Sequence, residues 1–269
     1  LEPWALSYKS WKKKLYYNVV ERTALDNASA IHMLNQAESQ NAKPLNIKAP
    51  LFVVPNGINY QEFELQHNPE AFYEQFPHTH DKTLVLFLGR IDPKKGLDLL
   101  APAFAKALAK FNNAHLIVAG SDSIGFLPTA KNYFAEEGCL NAVTFTGMLT
   151  GAMKYAALAA ANIYVAPSYS EGFSMSVLEG MASGLPCIIT KGCNFPEAAN
   201  NQAAKVVDIE SNAIANALID CLSNPEQAKI MGERARQLVF EKYTWDKVAC
   251  QMQEVYSCLL QHQPVMAVS

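Results

Sequence analysis

Leu84-Val85-Leu86-Phe87-Leu88-Gly89-Arg90-Ile91-Asp92-Pro93-Lys94-Lys95-Gly96 opens on five apolar residues and turns through a cationic, glycine-flanked segment into the helical pattern Leu97 to Lys110. An unbroken apolar run of that length is the pattern of a strand buried on both faces, which is how strands of a parallel sheet read. The stretch is therefore strand, tight loop, helix. Outward from it the alternation continues. Further strands are expected near Phe52, Leu116, Val143, Ile163, Cys187 and Val206, and helices near Leu97, Thr129, Met153, Met175, Ala198 and Ile214. Short connections between them predict an α/β fold, a Rossmann-like parallel sheet with helices on both faces. Before Leu51 the pattern predicts a helix from Trp11 to Leu25, a strand around Ala30 to Leu34 and a short helix near Gln36. After Pro225 two helices, Glu226 to Lys242 and Trp245 to Gln261, follow without a strand, the second N-capped by Thr244.

The loop after Leu88 lies at the carboxyl edge of its strand, where doubly wound folds bind ligands. Gly89, Arg90 and Lys95 are its chemistry. A planar guanidinium fork and a compact ammonium together suit a diphosphate. Lys94 reads as a solvated turn residue, and Lys95, next to Gly96, as the functional one. A second stretch, from Ser168 to Pro186, sets Glu171 in a Gly-containing loop and Glu179 on a helix, with seven residues between them. Ser174 is the expected N-cap, and Ser183-Gly184 before Pro186 the stop. Amides of Gly172, Phe173 and Ser174, with Met175, Ser176 and Val177 in the first turn, would meet an anionic group at the positive helix end. By spacing alone the two glutamates read equally as solvated residues.

Gly-Arg-x4-Lys-Gly after one strand and Glu-x7-Glu some eighty residues later resemble the retaining glycosyltransferases of family 4, which have the GT-B architecture. Further segments are similar to that family: Val54-Pro55-Asn56-Gly57-Ile58-Asn59 with Phe63, Phe145-Thr146-Gly147, Ala166-Pro167-Ser168, and Cys193-Asn194-Phe195-Pro196-Glu197 after Ile188-Ile189-Thr190. The resemblance covers Leu51 to Tyr256. It implies that Arg90 and Lys95 grip a donor diphosphate, that Glu179 holds the ribose hydroxyls and that Glu171 lies at the transferred sugar. The catalytic set is then Glu171, Arg90 and Lys95. Met148 and Leu149 would face the nucleobase, and Ser121 stands where the family often shows a second Gly. The implied donor is a nucleotide-diphosphate sugar, a UDP sugar ahead of a GDP sugar. The implied acceptor is a saccharide or lipid-linked saccharide in bacterial polysaccharide or glycoconjugate synthesis.

The resemblance also implies three regions. Residues 1–50 would be a remnant of the N-terminal acceptor domain, which Leu1 to Leu6 resemble in their own right, 51–225 the donor-binding domain, and 226–269 the helices that cross back. About fifty residues before Leu51 are too few for a complete domain, so most of the acceptor domain is expected to lie outside the chain. With that domain missing, part of the last helix is expected to expose its apolar face, including Val248, Met252, Val255 and Leu259, and to cause homo-oligomerisation or poor solubility. Alternatives are a nucleotide-sugar-binding module without catalysis and a GT-B-type epimerase. A dinucleotide-dependent dehydrogenase is disfavoured, because no G-x-G-x-x-G follows any expected strand.

Length and composition agree with a globular chain that can bury a full core. The chain has 269 residues, 50% hydrophobic and 17% charged, and its net charge of −3 gives no reason to expect a nucleic-acid partner. No run approaches the roughly eighteen apolar residues that cross a bilayer, and no signal peptide opens the chain, so a cytoplasmic location is expected. Lys9 to Tyr17 mixes cations and aromatics, and reads as a charged domain surface before it reads as a peripheral membrane anchor. Six cysteines without a C-x-x-C pair read as reduced core residues. His78-Thr79-His80 lacks a third ligand nearby, so neither a metal nor another cofactor is expected.

Overall fold

A computed structural model describes residues 16–65, 67–261 and 263. The expected Trp11 to Leu25 helix is seen from Tyr16 onward, as a π turn at Tyr17–Glu21 continuing into α1 (Arg22–Asp26). Leu1 to Leu6 and most of Lys9 to Tyr17 lie outside the described residues.

Contacts divide the chain into two units, residues 1–58 with 242–269 and residues 59–241. In the first, β1 (Ile31–Met33), α2 (Gln36–Ala42) and β2 (Leu51–Val53) follow α1, and β1 pairs in parallel with β2. Asn35 caps α2 by accepting from the Glu38 amide at 2.8 Å, while Glu38 accepts from the Leu34 amide at 2.7 Å. The strand at Phe52 thus pairs with its upstream neighbour, and the division falls at Ile58 and Glu241 where the sequence put it at Leu51 and Glu226.

The second unit carries α3 (Tyr60–Glu64) and α4 (Glu70–Gln75), two short helices the periodicity did not announce. The alternating series follows: β3 (Thr83–Leu88), α5 (Leu97–Lys110), β4 (Ala114–Ala119), α6 (Leu127–Glu136), β5 (Val143–Gly147), α7 (Gly151–Ala160), β6 (Ile163–Ala166), α8 (Met175–Ala182), β7 (Cys187–Thr190), α9 (Pro196–Asn200), β8 (Ala204–Val207) and α10 (Ser211–Ser223). The long helix α11 (Pro225–Lys242) completes the series, and α12 (Trp245–Leu260) belongs to the first unit.

Six strands form one all-parallel sheet in the order β5-β4-β3-β6-β7-β8. Residues of β4, β6 and β7 are buried throughout, as both-face coverage requires. On one face Leu97, Leu100 and Phe104 of α5 join Ile214 and Leu218 of α10 in the main core.

The last helix corrects an expectation. Val248 and Val255 of α12 are buried with Phe52 and Val54, and Met252 and Leu259 pack on the same cluster. The apolar face predicted to be open is covered within the first unit, which removes the reason given for oligomerisation. Thr244 caps the helix as expected, accepting from the Lys247 amide at 3.4 Å. Cys139, Cys187, Cys193 and Cys221 are buried and free, whereas Cys250 is exposed and Cys258 half-buried.

His115 of β4 is buried, and its Nε2 lies 2.8 Å from the Thr144 hydroxyl, as does Nε2 of His78. Burial, with the charges of His78 and Lys82, pushes its imidazole from 6.5 down to about 4. Between those values the unfolded chain binds the proton better, so stability is complete above about pH 7 and falls as pH drops through 6.5 towards 4. We expect a loss of about 2 kcal/mol between pH 7.5 and pH 5 in denaturant titrations, and a shallower decline in His115→Gln. Equal slopes in the two chains would remove His115 as the source.

Candidate active site

The sheet order places the reversal of strand order between β3 and β6, which pair in parallel. At such a switch point the loops from the carboxyl ends diverge and leave a crevice. Here those loops are Gly89 to Gly96 after β3 and Pro167 to Ser174 after β6. Lys95 and Glu171 join them, Nζ to Oε1 at 2.6 Å, with side chains only 14% and 13% exposed. Ser168 donates its hydroxyl to the same oxygen at 2.6 Å, and the Tyr169 amide donates to the Lys94 carbonyl at 2.8 Å. Tyr169 also donates its phenol to Asp98 Oδ2 at 2.6 Å, and burial with the Asp98 carboxylate pushes that phenol up to about 12.

A third loop, after β7, holds Glu171 from its backbone. The Glu171 amide donates to the Gly192 carbonyl at 2.8 Å, and Asn194 Nδ2 donates to the Glu171 carbonyl at 2.6 Å. Burial and the nearby Glu171 charge push the Cys193 thiol up to about 12, so it stays protonated. Two glycines allow the backbone approaches. A Cβ on Gly96, whose φ is +71°, would stand 2.1 Å from the Pro167 carbonyl oxygen, and one on Gly120 would stand 1.7 Å from that of Gly89. In the same turn the Ser121 carbonyl accepts from the Ile91 amide at 2.9 Å.

Helix α8 starts at Met175 after Ser174, whose backbone is extended as an N-cap requires. The Ser174 hydroxyl lies 3.2 Å from that of Ser176, and no side-chain cap bond forms. Leu178 makes the bond to the Ser174 carbonyl, so the amides of Met175, Ser176 and Val177 precede that first intrahelical bond. Phe173 stacks obliquely on Phe195, centroids 6.1 Å apart. Gly184, at φ +74°, closes the helix as the Ser183-Gly184 signal predicted. Glu179 sits in the second turn, half-buried, with Oε1 held by Lys154 Nζ at 2.7 Å.

The structure therefore joins Lys95 to Glu171 and keeps Glu179 on α8. Arg90 differs: its side chain is 65% exposed and pairs with Asp92 at 3.3 Å. Met148 is exposed and Leu149 half-buried in the turn before α7. Gly89 directly follows β3. Sequence reasoning missed Ser168 as a partner of Glu171, the Tyr169–Asp98 bond and Lys154. No local pattern marks Lys154, because its partner lies one strand and one loop further along.

This chain belongs to the glycosyl transferases group 1 family, whose model matches residues 69–238. An uncharacterized glycosyltransferase of Methanocaldococcus jannaschii is 28% identical over 215 residues, 78% of this chain and 54% of the relative. The GDP-mannose-dependent alpha-(1-6)-phosphatidylinositol monomannoside mannosyltransferase of Mycobacterium tuberculosis is 26% identical over 223 residues, 80% of this chain and 57% of the relative. The chain thus spans just over half the length of these relatives. In fold it is similar to Anabaena HepE solved with UDP and glucose, at TM-score 0.79 and 19% identity over 88% of this chain and 66% of HepE. The parallel sheet flanked by helices is that of GT-B glycosyltransferase structures.

Proposed function

We propose that this chain supplies the donor-binding part of a retaining, family-4-type hexosyltransferase that moves a sugar from a nucleoside diphosphate to a saccharide or lipid-linked acceptor. One observation carries the reading: at the β3/β6 switch point a largely buried lysine and glutamate from two loops meet beside the start of α8. Lys95, Arg90 and the amides of Gly172 to Val177 take the diphosphate, and they stabilise the charge that grows as it leaves. Glu179 takes the ribose hydroxyls, Glu171 the transferred sugar, Met148 and Leu149 the base. The leaving diphosphate itself helps to deprotonate the acceptor on the same face of the sugar, and the scheme assigns no metal. Among the described residues no helix is long and apolar enough to cross a membrane. A cytoplasmic enzyme meeting its acceptor at the inner membrane face is part of the same proposal.

A second reading is a donor-binding module, without catalysis of its own, that works only with a separate acceptor domain. Both readings predict nucleotide binding. UDP is placed first as the donor nucleotide, and GDP, from the name of the mannosyltransferase relative, is its competitor. Thermal melts with UDP, GDP, ADP and NAD test this: a ligand at 100 times its Kd adds about 2.7 kcal/mol, which raises the melting temperature by several degrees. A rise with UDP or GDP alone is expected. No rise with any of the four would overturn both readings.

A further inference from the structure

We propose that Lys154 is a positioning residue of the nucleoside site, fixing Glu179 for the ribose diol; this rests on the donor-binding reading above. The ammonium of Lys154 is held on two sides. Its Nζ lies 2.7 Å from Glu179 Oε1 and 4.8 Å from the centre of the Tyr155 ring. That ring is itself fixed: its hydroxyl bonds to Glu62, His67 stacks on it at 4.5 Å and 11°, and Phe63 meets its edge at 5.4 Å. The lysine is therefore preorganised by the second unit's own packing.

Its place in the chain adds to this. Lys154 lies in the first turn of α7, immediately after the Met148-Leu149 turn assigned to the base, and reaches across to the α8 carboxylate assigned to the ribose. Base and ribose are adjoining parts of one nucleoside, and Lys154 follows the place assigned to the one by five residues and bonds the carboxylate assigned to the other. A carboxylate in the second turn of a helix, flanked by buried Val177, Leu178 and Gly180, has many rotamers and costs desolvation unless a cation holds it. With Oε1 engaged, Glu179 meets a vicinal diol in one fixed orientation. The bland counterpart is a helix-to-helix ion pair that adds little stability and nothing to binding.

The 2′-hydroxyl separates the two. Calorimetric titrations compare UDP with 2′-deoxy-UDP, and GDP with 2′-deoxy-GDP, on the parent chain, Lys154→Met, Lys154→Arg and Glu179→Gln. In Lys154→Met the ribonucleotide should bind roughly tenfold more weakly, while the deoxy analogue, which keeps only the 3′-hydroxyl for Glu179, should lose clearly less, about threefold. Lys154→Arg, which keeps the cation, should restore most of the discrimination. Adding Lys154→Met to Glu179→Gln should cost nothing further, because the two act as a unit. An equal loss for both sugars, or an unchanged ratio in Lys154→Met, overturns the role of Lys154 while leaving the nucleotide site standing. Failure of the parent chain to bind either nucleotide overturns the donor-binding reading and this inference with it.

Discussion

Replacing Lys95 by Ala is expected to weaken UDP or GDP binding about tenfold to a hundredfold, since an ammonium on a diphosphate is a charge-assisted hydrogen bond. Stability should fall as well, on the order of 3 kcal/mol. The lysine and Glu171 are both nearly enclosed, and deleting one partner leaves the other charge uncompensated. The two losses have separate causes, so they can be separated. Adding Glu171→Gln to Lys95→Ala removes the stranded charge and keeps an oxygen for the Ser168 hydroxyl, and it should recover most of the stability. It should recover none of the diphosphate affinity. Recovery of both would make the pair a structural cross-link between loops and nothing more.

The second large effect is expected at Gly96. Ala there must adopt φ +71° and would set its Cβ 2.1 Å from the Pro167 carbonyl oxygen, so the loops after β3 and β6 must part. Left-handed backbone alone costs about 1–2 kcal/mol, and displacement of a backbone contact brings the total to about 3 kcal/mol or more. Gly125 provides the control, with φ +75° and nothing within 4 Å of its would-be Cβ. Gly125→Ala should show only the backbone share. Denaturant midpoints of the two variants give the comparison, and nucleotide affinity should drop in Gly96→Ala alone. Equal destabilisation would mean that the Pro167 approach does not constrain the loops.

The sheet was legible because its strands are short apolar runs separated by helical spacing, a signal that survives without tertiary knowledge. Each expected strand appears, and so do the helices between them. Strand partnership was not legible. Leu51–Val53 has the same character as the strands after it, and only the pairing of Ile31–Met33 with it shows where it belongs. The helices at Tyr60 and Glu70 are too short for a periodic signal to form. Within the site, Lys95 and Glu171 could be named because each sits in a loop with a recognisable glycine and charge pattern. Arg90 carries the same motif, yet its guanidinium turns to Asp92, a local preference that no motif encodes. Lys154 was invisible for the opposite reason: its partner is brought to it by two helices meeting, and nothing in its neighbouring sequence distinguishes it from a solvated helix lysine. The exposed helix face was misjudged because amphipathicity reveals an apolar stripe and not what covers it; Phe52 and Val54 do so here.

The loops after β3 and β6, with the start of α8, are proposed to form a diphosphate site. Titration calorimetry of this chain with UDP and UMP, and with GDP and GMP, tests it directly, because each pair differs only in the second phosphate. The diphosphate of one base is expected to bind at least about tenfold more tightly than its monophosphate, and Lys95→Ala to remove most of that difference. Equal affinities within both pairs would show that the second phosphate finds no partner and that these loops form no diphosphate site.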